Sequence, residues 1–175
     1  MGWEDKLADK VSISHKEWQE AAKNQKRVSV IESVWYLDFV LKNLLELIFV
    51  QWNNEVKKQF NPNNGSLAYL TQKARLVYSL GYINKSTLND LQQINKIRNR
   101  FAHNVDITFT DAEVCKYVNN LSVAKNYKIT LYRIYMHAVD KCFKNIKAGI
   151  KQEAFRKAVL KKAVKEKSQQ KTKKE

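Results

Sequence analysis

Between residues 27 and 60 the apolar side chains form a helical stripe too wide to be covered from one side. Val30, Val34, Leu37, Leu41, Leu44 and Ile48 recur every three or four residues, which places them on one face of an α-helix. Ile31, Trp35, Phe39, Leu45, Phe49 and Trp52 widen that face. Such a helix must be buried on more than one side. It is expected to be the centre of a helical bundle, with the aromatics in its core or at a dimer contact. Trp35, Phe39, Phe49 and Trp52 exceed what one face needs, so a homodimer is expected. Only four glycines and one proline occur in 175 residues, which argues for long helices and against hairpins.

The remaining punctuation divides the chain. Trp3, Leu7 and Val11 fit a short N-terminal stripe, and Ser14 with Glu17 is spaced as a capping box. His15 reads as a surface residue near that cap. Asn61-Pro62-Asn63-Asn64-Gly65 is the strongest breaker in the chain. Ser66 is expected to cap the next helix, which carries Leu67, Leu70, Ala74 and Val77, and Gly81 to end it. Ser86 or Thr87 is expected to cap a helix through Leu88, Leu91, Ile94 and Phe101, and Thr110 with Glu113 to open another. Residues 122–128 are expected to break or kink the pattern before it resumes at Ile129. The expected divisions are an N-terminal helical segment (1–26), a helical domain (27–147) and a Lys-rich extension (148–175). The last is a helix fraying into a disordered tail. The fold class is all-α, a bundle of four to five helices.

The chemistry concentrates at Arg98-Asn99-Arg100-Phe101-Ala102-His103. Asn99 and His103 stand four residues apart and share a helix face. Arg98 lies off that face, with a side chain long enough to reach round. A guanidinium grips phosphate in a bidentate fork, and a histidine exchanges a proton near neutral pH. The pair could therefore handle a phosphodiester. Equally, a histidine at a helix C-terminus is stabilised by the helix dipole alone, by roughly 0.3–1 kcal/mol. Arg133 and His137 form a second Arg–His pair and read as structural.

The segment Arg98-Asn-x-x-x-His103 resembles the Arg-polar-x-x-x-His signature of HEPN domains. That resemblance implies a small helical fold and, in active members, a metal-independent endoribonuclease. It also implies a homodimer with two motifs facing one cleft. Arg98, Asn99 and His103 would then be catalytic: His103 as acid or base at the 2′-hydroxyl, Arg98 on the phosphate, Asn99 orienting either. The longer block from Gly65 to Val114 resembles the mannitol operon repressor family, which shares the HEPN-like fold. Its points of likeness are Gly65-x-Leu67, Lys73-Ala-Arg75-Leu, Leu80-Gly81-Tyr-Ile83-Asn, Ile97-Arg98, His103 and Phe109-Thr110-Asp111-x-Glu113.

The formal charge of +15 favours a polyanionic partner, and residues 150–175 alone carry ten basic against three acidic side chains. Lys73, Arg75, Lys96, Arg100, Lys161, Lys162 and Lys165 are the candidate nucleic-acid contacts. Cys115 and Cys142 form no metal or disulfide spacing and read as small hydrophobes. No phosphate loop, dinucleotide fingerprint or metal pattern occurs, so no cofactor and no metal are expected. No apolar run has the length of a membrane span and no signal peptide is visible, so a cytoplasmic protein without a membrane partner is expected. Two function classes follow. One is a nucleic-acid-acting HEPN-like protein, as a metal-independent endoribonuclease of toxin or phage-defence type. The other is a non-enzymatic transcriptional regulator or protein-binding module. A cognate antitoxin or regulatory protein is the expected protein partner.

Overall fold

The computed structural model describes residues 15–124 and 129–172, and among them the regular elements are helices with no strand. The helices are α1 (His15–Ile48), α2 (Asn54–Lys58), α3 (Leu70–Ser79), α4 (Lys85–His103), α5 (Ala112–Asn119) and α6 (Leu131–Thr172). The wide stripe is α1, which packs on α3, α4 and α6. Val30, Leu37, Leu41, Leu44 and Leu45 are fully buried. That explains why one stripe was not enough: three helices share its surface. Among the described residues five of the six helices pack on one another, as the expected bundle of four to five requires; the short α2 buries no side chain. The expected N-terminal stripe and the Ser14 cap lie outside the described residues.

The two long helices run parallel. Ser33 Oγ meets Tyr135 Oη at 2.7 Å, the Tyr36 ring lies 5.2 Å from that of Phe143, and Leu44 approaches Gly149. Contacts advance in the same direction along both. Helix α4 is antiparallel to α6: Asn145 donates to Thr87 Oγ1 at one end, and Phe101 reaches Tyr132 through Phe109 at the other. The divisions expected at 26/27 and 147/148 both fall inside uninterrupted helices, α1 and α6. Helix α6 continues through Thr172, so the expected Lys-rich helical extension is helical over the described residues.

Cap positions shift from expectation by short steps. Ser66 does not cap α3, because its hydroxyl donates to Gln59. The helix starts three residues later, where Gln72 Oε1 accepts from the Tyr69 backbone N–H. Asn84, not Ser86 or Thr87, caps α4 and accepts from Thr87 N at 2.9 Å. Asp111 rather than Thr110 caps α5. In each case the N-cap is the residue whose backbone is already extended, as that position requires.

The two glycines singled out in sequence have physical reasons. Gly65 sits against its own loop, where a β-carbon would lie 2.2 Å from the Gln59 carbonyl oxygen. Gly81 adopts φ +80°. Its N–H donates to Tyr78 O, and that of Tyr82 donates to Val77 O, the paired bonds of a Schellman ending.

A buried carboxylate anchors the far half of α6. Glu153 is 0% exposed; it accepts from Arg156 Nε and Nη2, both at 2.7 Å, and from the Tyr82 hydroxyl. The Arg156 guanidinium, with help from Tyr82, outweighs burial and holds the Glu153 carboxyl down to about 2 from an ordinary 4.5. A depressed carboxyl stabilises the fold above its unfolded pKa, and that stability is lost as pH falls through the folded value. Wild-type protein should therefore lose stability as pH falls from 4.5 to about 2. In Glu153→Gln this part of the acid limb should flatten. Urea midpoints measured between pH 5 and 2 check it; two parallel curves would remove Glu153 from the acid response.

Candidate functional site

Helix α4 carries the motif and divides it between two environments. Asn95, Arg98 and Asn99 line a groove of about 580 Å³ whose other walls are α1 and the entry to α3. Arg98 is half-buried and donates from Nη1 to Asn99 Oδ1 at 3.1 Å. Its Nε is buried with no hydrogen-bond partner, a condition that typically costs about 1–3 kcal/mol. From α1 come Glu32, Trp35 and Asp38, and from the α3 entry Ala68 and Tyr69. His103 does not line this groove. It is exposed at the last position of α4. Five residues of helix turn it about 140° from Arg98, and Arg98 turns to Asn99 instead of reaching round.

The end of α4 beside His103 is held by other groups. Arg27 Nε donates to Phe101 O at 2.9 Å, answering one of the carbonyls that a helix leaves open at its C-terminus. Lys23 reaches Asp106 at 3.2 Å. A second cavity of about 310 Å³ lies here, walled by Ala22, Lys23 and Lys26 of α1 and by Phe101 and 107–110.

The expected nucleic-acid contacts do not share one surface. Lys73 requires a correction. It is 2% exposed, and its Nζ bonds both Asp38 oxygens, at 2.7 and 2.9 Å, and Ala68 O at 3.0 Å. An ammonium so enclosed is a structural cation and is not presented to phosphate. Arg75 is exposed on α3. Lys96 is exposed on α4 and lies over the Tyr117 ring at 5.5 Å. Arg100 Nε stands 3.0 Å from Glu113 Oε2, an ion pair by distance but one in which the N–H points away from a bond. Lys161 and Lys162 are exposed near the far end of α6, roughly 40 Å along the helix from Tyr135 at 1.5 Å per residue. The side chain of Lys165 lies outside the described residues.

Other expected features resolve simply. Phe49 and Trp52 stack on each other, and Phe60 meets them edge-on and tilted within the chain. Trp35 and Phe39 are 70% and 47% exposed and stack at 5.9 Å. They are surface aromatics of the single chain, where the expectation allowed core or a dimer contact. Cys142 is buried, and desolvation pushes its thiol far above the usual range, which leaves it unreactive. Among the described residues no group of His, Cys, Asp or Glu is arranged to hold a metal ion, and no helix is long and apolar enough to cross a membrane.

The family model for the mannitol repressor (MtlR) matches residues 17–171. The chain belongs to the mannitol repressor family. The match runs from α1 nearly to the end of α6, far beyond the Gly65–Val114 block that carried the resemblance in sequence. No curated protein matches the chain, and no solved structure does. The match bears on the mannitol-repressor side of the resemblance and adds nothing to the wider HEPN likeness.

Sequence reasoning missed three of the groove's walls. Asp38 carried a usable signal, because it is the one acid between Leu37 and Phe39 in an otherwise apolar stretch. An acid in that setting needs a buried cation. Glu32 and Tyr69 carried none, since each is ordinary on an exposed surface.

Proposed function

We propose that this member of the mannitol repressor family is a regulator that acts by binding, and that it does not cut RNA. The observation that carries the reading is the family match over residues 17–171. The motif geometry agrees with it. An Arg–His ribonuclease needs the guanidinium and the imidazole on one phosphodiester, within hydrogen-bond reach of the same group. Here the groove takes Arg98 and Asn99 and leaves His103 outside. The groove also carries Glu32, whose charge opposes a phosphate chain.

The test has two arms. In cells lacking the protein, a limited set of transcripts should rise. Wild type and His103→Ala should restore them equally. Purified full-length protein should leave total RNA intact with EDTA or with magnesium. Cleavage by wild type that disappears in His103→Ala would return the endoribonuclease reading. Transcripts unchanged by the deletion would remove the regulator.

A further inference from the structure

Helix α6 outruns the bundle that it closes. Tyr135, Val139, Cys142, Ile146, Gly149 and Glu153 are buried, and their alternating steps of four and three residues keep them on one seam. Burial stops at Glu153, which accepts from the Tyr82 hydroxyl: from 154 to 164 no residue is buried. The neighbouring α1 ends at Ile48, one turn past the contact of Leu44 with Gly149. Yet α6 runs on to Thr172, roughly 28 Å beyond Glu153 at 1.5 Å per residue. The seam runs on with it, because Lys157, Leu160 and Val164 follow Glu153 by the same steps. Phe155 and Val159 widen its apolar side to about half the helix circumference. These four apolar side chains are between 50% and 72% exposed. Charge is the second observation. Residues 154–172 carry seven basic side chains against one acidic, and half-buried Lys157 stands in the seam itself.

We propose that this overhang of α6 is a docking helix for an acidic amphipathic helix of a partner protein. The partner lays its apolar stripe on Phe155, Val159 and Leu160 and brings carboxylates to Lys157 and Lys161. The seam of the bundle then continues outward, with the partner helix standing where α1 stops. Charge separates this occupant from a second copy of the chain. A copy sets one run of seven cations against another, and like charges along a helix pair oppose its formation. A nucleic acid answers the lysines but leaves the apolar stripe in water. A bilayer has to take the Lys157 ammonium along with the seam, at a cost in free energy; a partner helix meets it with a carboxylate. The inference rests on the reading of the protein as a binding regulator and names the chemistry of a partner.

The probes are three labelled three-heptad peptides, titrated onto the full-length protein by fluorescence anisotropy at physiological ionic strength. One carries Leu in a helical stripe flanked by Glu, one has Gln in place of Glu, and one has the first composition scrambled so that no stripe forms. The striped Glu peptide should bind at least about tenfold tighter than either control. Phe155→Ala with Leu160→Ala should erase the preference for the stripe and keep that for Glu. Lys157→Gln with Lys161→Gln should do the reverse. None of the four positions is buried, so both variants should keep the wild-type helix content by circular dichroism. Equal binding of the three peptides overturns the proposal, as does a stripe preference that survives Phe155→Ala with Leu160→Ala. Tighter binding to phosphatidylserine vesicles or to a short RNA, lost in the same variants, overturns it in favour of a membrane or a nucleic acid. Concentration-dependent dimerisation abolished by Phe155→Ala with Leu160→Ala, without peptide binding, assigns the stripe to a second copy. Failure with intact transcript control removes the docking helix and leaves the regulator; peptide preferences as expected with unchanged transcripts remove the regulator and leave the docking helix.

Discussion

Asp38→Ala is expected to cost about 3–5 kcal/mol of stability, because it strips the counter-ion from a buried ammonium. The Lys73 side chain is 3% exposed and that of Asp38 is 32% exposed. With the carboxylate gone, Lys73 Nζ keeps only the Ala68 carbonyl. Partial exposure on the Asp38 side admits some water, which places the loss toward the lower end of that range. The pair is also a joint between helices, since it ties the middle of α1 to the first turns of α3. The double variant Asp38→Leu with Lys73→Met should recover most of the loss, to within about 1 kcal/mol, because well-packed apolar side chains commonly replace a buried pair without penalty. Urea denaturation of the three proteins, with the slope checked for constancy, measures both numbers. A single variant within about 0.5 kcal/mol of wild type, the usual range for a plain surface position, would show that the pair contributes nothing.

The second large effect is at Phe101. Its side chain is 1% exposed, and its ring lies 5.0 Å from that of Phe109, which in turn meets Tyr132 and Tyr135. Phe101→Ala should cost about 3–5 kcal/mol through lost transfer energy and the cavity left behind. For a chain of this length that corresponds to a fall of roughly 6–20 °C in Tm. The damage should spread along the aromatic chain into α6, because Phe101 is the link between the end of α4 and Tyr135. Trp35→Ala is the matched control: an aromatic of larger size, but 70% exposed, whose removal should stay within about 0.5 kcal/mol. Differential scanning calorimetry reads both. Equal losses at the two positions would mean that burial does not separate them.

The sequence determined the helical class, the breaker at Gly65, the Schellman glycine at Gly81 and the apolar stripe along the centre of α1. These are local matters. A period of three to four residues, a residue able to take a positive φ and a cluster of turn formers act through their own backbone, whatever lies across the core. The motif at Arg98 was equally legible as a string, and its place on α4 follows from the same period. Three things needed the tertiary structure. Lys73 reads as a surface cation until α1 brings Asp38 to it, because the sequence does not say which charges will be enclosed together. Trp35 and Phe39 read as core or dimer contact until α3, α4 and α6 have occupied the rest of α1, because only the partners' count and placement decide which part of a wide stripe these helices cover. Arg98 and His103 read as a pair because both lie on one helix. Five residues of helical rotation separate their directions, and the walls supplied by α1 and the α3 entry select Arg98 and Asn99 alone. Local physics fixes which side chains a helix carries; the neighbouring helices fix which of them meet.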